Sequence, residues 1–366
     1  MRWLEELKEN ICSITQLEDY IKLSPKEKRQ LREIISIHPM SITRYYMSLI
    51  DWDDPNDPIR RLAVPSVGEL NLLGSYDTSG ERENTKMPGL QHKYQQTALI
   101  LATNRCATYC RHCFRKRLIG LLTGEILHRF NDAVKYVEQH EEINNVLITG
   151  GDPFVLQTYV IGEFLEELST IPHLDFIRFG TRVPVTFPDR FLEDDDLLSL
   201  LENNSLKNRR IYVVTQFNHP REITQKATDA VDALIRSRVI VNNQTVLLRG
   251  VNDNPEILAE LHNKLISVGV NPYYLFQCRS VKRVKSNFQI PLYRGYEIVE
   301  SAKKKLNGHS KRFKYIMSHQ TGKIEIVGIM DDYIYLKYHQ AKAHGDIGKI
   351  FRRKINKTAG WLDELE

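Results

Sequence analysis

Three cysteines in eight residues constrain this chain more than anything else in it. They are Cys106, Cys110 and Cys113, in the run Cys106-Ala107-Thr108-Tyr109-Cys110-Arg111-His112-Cys113-Phe114-Arg115-Lys116-Arg117. At offsets of four and three residues the thiols can converge on one face of a tight loop and offer three thiolates to a metal. A structural zinc ion would need a fourth ligand from elsewhere, and thiolate-rich sites also hold iron–sulfur clusters. Three cysteines on a four-iron cluster leave one iron without a protein ligand, an open corner where chemistry can occur. Buried, unreactive thiols are the bland alternative.

The surrounding pattern says where such a loop would sit. Strand-like apolar runs near 97–103, 144–150, 175–181, 209–217, 239–248 and 271–278 alternate with helical periodicity near 124–140, 158–170, 194–203, 222–237, 254–268 and 294–306. Six strand–helix units in a row predict a parallel sheet with outer helices, and right-handed crossovers would curl it into a partial (β/α)6 TIM-like barrel with its chemistry at the carboxyl ends of the strands. The cysteines follow the first strand. Other strand ends carry Thr149-Gly150-Gly151-Asp152-Pro153, Gln216-Phe217-Asn218-His219-Pro220 and Gln277-Cys278-Arg279. Arg178 shares a face of its strand with Phe176 and Gly180; inside a barrel it calls for a carboxylate or phosphate partner, or a buried salt bridge.

Ahead of the barrel, Leu4 to about Ile50 reads as short helices. Ser24-Pro25-Lys26-Glu27 starts one, Leu31, Ile34 and Ile35 give it an apolar face, and His38-Pro39 ends it. Asp51 to Gly89 is rich in Asp, Asn, Pro and Gly and reads as a long wrapping loop. After Lys314, Tyr315-Ile316-Met317, Ile324-Glu325-Ile326-Val327 and Tyr333-Ile334-Tyr335-Leu336 predict a small antiparallel addition. The basic run from Phe351 to Lys357 reads as a solvated strip. The domain expectation is therefore a helical extension with a wrapping loop over 1–90, the barrel over 91–310 and a β-rich extension over 311–366.

Composition excludes several classes. With 51 Lys+Arg against 46 Asp+Glu, the net charge of +5 is too small and scattered to argue for nucleic acid. No stretch approaches a membrane span, Met1-Arg2-Trp3-Leu4-Glu5-Glu6 lacks the apolar region of a signal peptide, and the five cysteines form no disulfide framework. A cytoplasmic protein is expected.

The C-x3-C-x2-C run resembles the signature of the radical S-adenosylmethionine (SAM) superfamily, and its surroundings resemble the lysine 2,3-aminomutase family in particular. The same family order continues in Asp53-Asp54-Pro55-Asn56, Pro58-Ile59-Arg60-Arg61, Pro88-Gly89-Leu90, His92-Lys93-Tyr94 and Gly180-Thr181-Arg182-Val183-Pro184, so the resemblance covers residues 1 to about 310. It implies a [4Fe-4S] cluster on Cys106, Cys110 and Cys113. SAM would bind the open iron, its amino group held by Gly150, Gly151 and Asp152, with Arg111, Gln216, Asn218 and Gln244 as further cofactor contacts. Gln216 stands where the family usually has His. Arg115 matches the Arg that pairs with the substrate carboxylate. An electron donor such as flavodoxin or ferredoxin is implied, a small amino-acid-like substrate also, and a homo-oligomer is one expectation.

The resemblance weakens where a second cofactor, pyridoxal 5′-phosphate (PLP), should bind. Family enzymes hold PLP on a Lys after a run of glycines and bind its phosphate with an Arg-Tyr pair and a further Arg. Here Gln320-Thr321-Gly322 precedes Lys323, the candidate for the Schiff base, while Lys93-Tyr94 stands at the pair and Thr97 at the further Arg. Lysine aminomutases also have, directly after the Gln-Cys that ends the sixth strand, an Asp that helps bind the distal ammonium of lysine; here it is Arg279. That reversal predicts a substrate with an anionic or neutral far end, such as glutamate. The expected activity is PLP-assisted 1,2-amino migration on an amino acid other than lysine. The alternatives are a PLP-independent radical SAM enzyme with another substrate and a non-catalytic metal-binding protein.

Overall fold

A computed structural model describes residues 2–366. Its centre is one sheet of twelve strands: β1 (Thr85–Met87), β2 (Leu90–Tyr94), β3 (Thr97–Thr103), β4 (Asn145–Gly150), β5 (Phe176–Gly180), β6 (Arg210–Thr215), β7 (Ile240–Leu247), β8 (Asn271–Gln277), β9 (Lys314–His319), β10 (Gly322–Met330), β11 (Tyr333–Ala341) and β12 (Ile350–Lys354). Their order in space is their order in the chain. From β3 to β9 every pairing is parallel. The flanks, β1–β2–β3 on one side and β9–β10–β11–β12 on the other, are antiparallel.

Each parallel step is bridged by a helix: Phe130–Glu138, Thr158–Ser169, Asp195–Asn204, Gln225–Arg236, Pro255–Ser267 and Leu292–Lys303. Alternation on the strands follows. Ile177 and Phe179 are buried in the core that the helices share, whereas Phe176, Arg178 and Gly180 lie on the opposite, half-buried face. The first helix is shorter than its periodicity predicts, beginning at Phe130, and Glu125 ahead of it accepts a hydrogen bond from Arg117 (2.5 Å).

The sheet is curled. Lys93 on β2 donates to the carbonyl of His319 at the end of β9 (2.7 Å), and the Lys323 amine on β10 lies 5.5 Å from the centre of the Tyr94 ring. Strands that are seven and eight places apart in sheet order can meet only if the sheet bends round.

The N-terminal helices behave as their caps predict. Ser24 accepts from the Glu27 amide while Glu27 accepts from the Ser24 amide (2.8 Å), and the helix Pro25–Ile37 buries Leu31 and Ile34. Trp3, Ile14, Ile34, Tyr46 and Leu62 join the same apolar core as the barrel-type strands, so this layer is packed onto the sheet rather than tethered to it. Within the stretch read as a wrapping loop, the structure has a helix at Pro58–Ala63, a 3-10 turn at Val67–Leu70 and the strand β1, which pairs with β2 just beyond it. The C-terminal part differs from a purely antiparallel addition: β9 is laid parallel to β8 by the crossover helix Leu292–Lys303, and only then do β10 to β12 fold back. The basic run is largely exposed, as a solvated strip would be, and its first four residues belong to the edge strand β12.

Candidate active site

The cysteine loop leaves the carboxyl end of β3 and is gripped from the N-terminal side. The Tyr109 amide donates to Ser41 O (2.8 Å), the Arg111 amide to Leu62 O (2.8 Å), and Asn10 donates to Ala107 O (2.8 Å). Arg111 is engaged bidentately by Glu69 (2.9 and 2.6 Å) and donates to Pro39 O (2.9 Å); Lys116 reaches the same carboxylate (2.6 Å). Burial alone would raise the Glu69 carboxyl, but Arg111 and Lys116 beside it reverse this and bring it down to about 2. The contacts of Arg111, expected at the cofactor, are thus with the N-terminal layer.

Cys106, Cys110 and Cys113 are half-buried and none is in a disulfide. Burial pushes the Cys106 thiol well up, with Asp152 and the other two cysteines adding to it, and pushes Cys113 to about 11. Among the described residues no group of three His, Cys, Asp or Glu side chains is gathered as a single metal ion would need. As a donor set, three thiols on one loop with a guanidinium beside them suit an anionic iron–sulfur cluster, because the cation offsets the charge of the thiolates.

That guanidinium is Arg182, a residue whose role the sequence did not disclose. From the end of β5 it donates through Nη1 to Cys110 Sγ (2.7 Å), through Nη2 to Glu222 (2.5 Å) and through Nε to Gln216 O (3.0 Å). Asp152 holds it in place by accepting from its amide (2.6 Å) and from the Thr181 hydroxyl (2.7 Å). Gly150 and Gly151 lie beside the entry to the cysteine loop. A Cβ on Gly150, whose φ is +116°, would meet Thr103 O at 2.3 Å, and one on Gly151 would meet Arg105 O at 2.1 Å. In this structure the close approach these glycines permit is of one backbone to another. Gln216 and Asn218 both lie 3.5 Å from His112 Nε2, inside the cysteine run; Asn218 also accepts from the Val246 amide (2.9 Å). Gln244 is half-buried on β7.

A second group occupies the interior between β2, β5, β8 and β10. The Lys323 amine lies 4.9 Å from the centre of the Tyr274 ring, with Tyr94 beside it. Burial, then Arg178, Lys93 and Arg279, lower it to about 7. Lys93 donates to Ser79 O (3.0 Å) and His319 O (2.7 Å), and burial, then Arg279, lowers it to about 7 as well. Arg279 stacks on Phe114, 4.0 Å from its centre, and donates to Ser318 (3.0 Å); its Nη1 has no partner. Arg178 donates to Asn145 (2.5 Å), and its Nε has no partner. Neither forms a salt bridge among the described residues, so the carboxylate partner open for Arg178 in the sequence is not there. Arg115 packs on the same Phe114 ring and is held through Nε by Glu81 (2.9 Å), which Arg117 shares (2.8 Å). These residues fit a PLP site: an amine brought down to about 7 between aromatic walls, with guanidinium groups nearby that each keep one nitrogen without a partner.

No protein-family profile matches the chain. Among curated proteins, it is 40% identical over 344 residues to a provisionally named L-lysine 2,3-aminomutase of Aquifex aeolicus, covering 94% of this chain and 92% of that one. It is 35% identical to the L-lysine 2,3-aminomutase of Clostridium subterminale, over 85% of this chain and 73% of that one. It is also 35% identical to the glutamate 2,3-aminomutase of Clostridioides difficile, over 81% and 69%.

Proposed function

As the chain belongs to the lysine 2,3-aminomutase family of radical SAM enzymes, we propose that it moves an amino group between neighbouring carbons of an amino acid that is not lysine, with PLP on Lys323. The observation that carries this is the charge of the interior. Arg279 is buried beside Lys93 and Arg115 and forms no salt bridge of its own among the described residues, and the nearby carboxylate of Glu81 is already taken by Arg115 and Arg117. A cationic side chain entering there would meet repulsion worth several kcal/mol where water is excluded, whereas an acidic one would satisfy Arg279.

When bound, the cluster and SAM supply a hydrogen-abstracting radical, and PLP supplies delocalisation for the migrating amino group. The chain's own residues position and insulate. Cys106, Cys110 and Cys113 ligate the cluster in this reading, with Arg182 beside Cys110; Gly150, Gly151, Gln216, Asn218 and Gln244 border SAM. Arg115, held through Nε by Glu81, would use its remaining Nη2 to pair with the substrate carboxylate. Tyr94 and Tyr274 wall the Lys323 amine, which near neutral pH is free to attack a carbonyl. The curled sheet is read as a partial barrel over 91–310, with 1–90 holding the cysteine loop and 311–366 supplying Lys323. No helix among the described residues is long and apolar enough to cross a membrane; a cytoplasmic enzyme reduced by flavodoxin or ferredoxin fits the reading.

Anaerobic incubation with SAM, reductant and a panel of amino acids tests it. We expect a β-amino acid from an acidic substrate and none from lysine, and Arg279→Asp should weaken the acidic substrate far more than it disturbs SAM cleavage. Efficient turnover of lysine with none of any acidic amino acid would reject the charge reversal.

A further inference from the structure

We propose that Arg178, with Thr97 and Asn145 beside it, is the anion-binding end of the pocket whose reactive end is Lys323, and that in this chain it takes the phosphate of PLP. The inference rests on the PLP reading above and assigns a residue to it. Of the guanidinium groups packed inside the protein, Arg111, Arg115, Arg117, Arg182 and Arg190 each pair with a carboxylate. Among the described residues Arg178, Arg279 and Arg283 do not, and Arg283 is turned to the N-terminal layer, donating to Glu69 O (2.9 Å). In Arg178 one Nη donates to Asn145, which also accepts from Thr97 (3.3 Å), and Nε is buried without a partner. An uncompensated guanidinium in such a place costs free energy unless an anion arrives.

The other candidates are engaged elsewhere. The Lys93 ammonium is held by two carbonyls, and Arg279 lies with Arg115 on Phe114, which directly follows Cys113. Depth decides which anion Arg178 receives. Thr97 and Asn145 are the first residues of β3 and β4, whereas the cysteine loop follows the last residue of β3. Seven residues of strand put these ends roughly 20 Å apart. The reacting carbons of a substrate must lie near the cluster end, so the deep anion belongs to the molecule attached at Lys323. A phosphate there would accept from Nε, and from the Thr97 hydroxyl once it turns from its long bond to Asn145, which would still hold the guanidinium through Nη2. Arg178 would thus serve where Thr97 has replaced the Arg that the family resemblance leads one to expect.

The test compares PLP with pyridoxal, which has the same aldehyde and no phosphate. Anaerobically purified protein is incubated with either, reduced with borohydride, and the adduct on Lys323 is measured by mass spectrometry across a concentration series. Arg178→Met should raise the half-saturating PLP concentration about 100-fold, the scale of a lost charged hydrogen bond, and leave that for pyridoxal within about three-fold. Arg178→Lys should fall between, and inorganic phosphate should compete with PLP on the wild type only. Equal losses for PLP and pyridoxal would mean that Arg178 supports the fold alone, and an unchanged PLP response would place the phosphate elsewhere; either overturns the assignment while leaving Lys323 as the attachment site. A wild-type protein with no adduct from either aldehyde would instead overturn the PLP reading, and this inference with it.

Discussion

Lys323 and Cys110 stand for what a single residue reveals in sequence and what it hides. The cysteine cluster could be read because its three thiols lie within one local run, and Lys323 stood out as a candidate because a resemblance pointed to it. What could not be read was who stands opposite: Arg182 meets Cys110 across 72 residues, and no local pattern encodes that pairing. Three expectations belong at this scale. Because Lys323 is lowered to about 7 and only the neutral amine attacks an aldehyde, pyridoxyl labelling of Lys323 should be nearly full above pH 8 and fall away as pH drops below about 7, as peptide mapping of borohydride-reduced protein would record. Cys110→Ala should lose iron and SAM cleavage together, read as bound iron and 5′-deoxyadenosine. Gly151→Ala, whose Cβ would stand 2.1 Å from a backbone oxygen at the entry to the cysteine loop, should also lose iron, while Gly124→Ala, with open space around it, should retain it.

Among elements, the six strand–helix units were legible because strands that alternate between a buried and a half-buried face and amphipathic helices have distinct periods. The pieces that were not are short or disguised. β1 and β2 have three and five residues among Pro and Gly, and β12 is an exposed edge whose Arg352, Arg353 and Lys354 look like a solvated tail. The direction of β9 was hidden because an apolar run does not state its orientation. The clasp between the Val67–Leu70 turn and the cysteine loop carries its own prediction. Glu69→Gln leaves Arg111 and Lys116 buried without their carboxylate, which should cost about 3–5 kcal/mol and lower the melting temperature measured by calorimetry. The Glu69 carboxyl, ordinarily near 4.5, is held at about 2. Its contribution is therefore fully present above about 4.5 and lost as pH falls toward 2, so the wild type should show this acid-sensitive component and Glu69→Gln should not.

For the whole molecule, the curl of the sheet was expected from handed crossovers, but the residues that close it were not. Lys93 with His319 and Tyr94 with Lys323 join the two flanks through side chains, without a ladder of backbone hydrogen bonds. Hydrogen–deuterium exchange should find residues 79–81 and 318–323 less protected than the parallel strands, and slower to exchange once PLP is added; no change on addition would separate the cofactor from this seam. The strand order has a temporal consequence as well. Since every strand pairs with the one before it in the chain, a growing polypeptide can lay down the sheet one partner at a time, with only local closures to make. The seam is different: Lys93 must wait for a residue 226 positions later. The cysteine loop and its clasp can therefore form early, while the pocket that would direct a radical closes last.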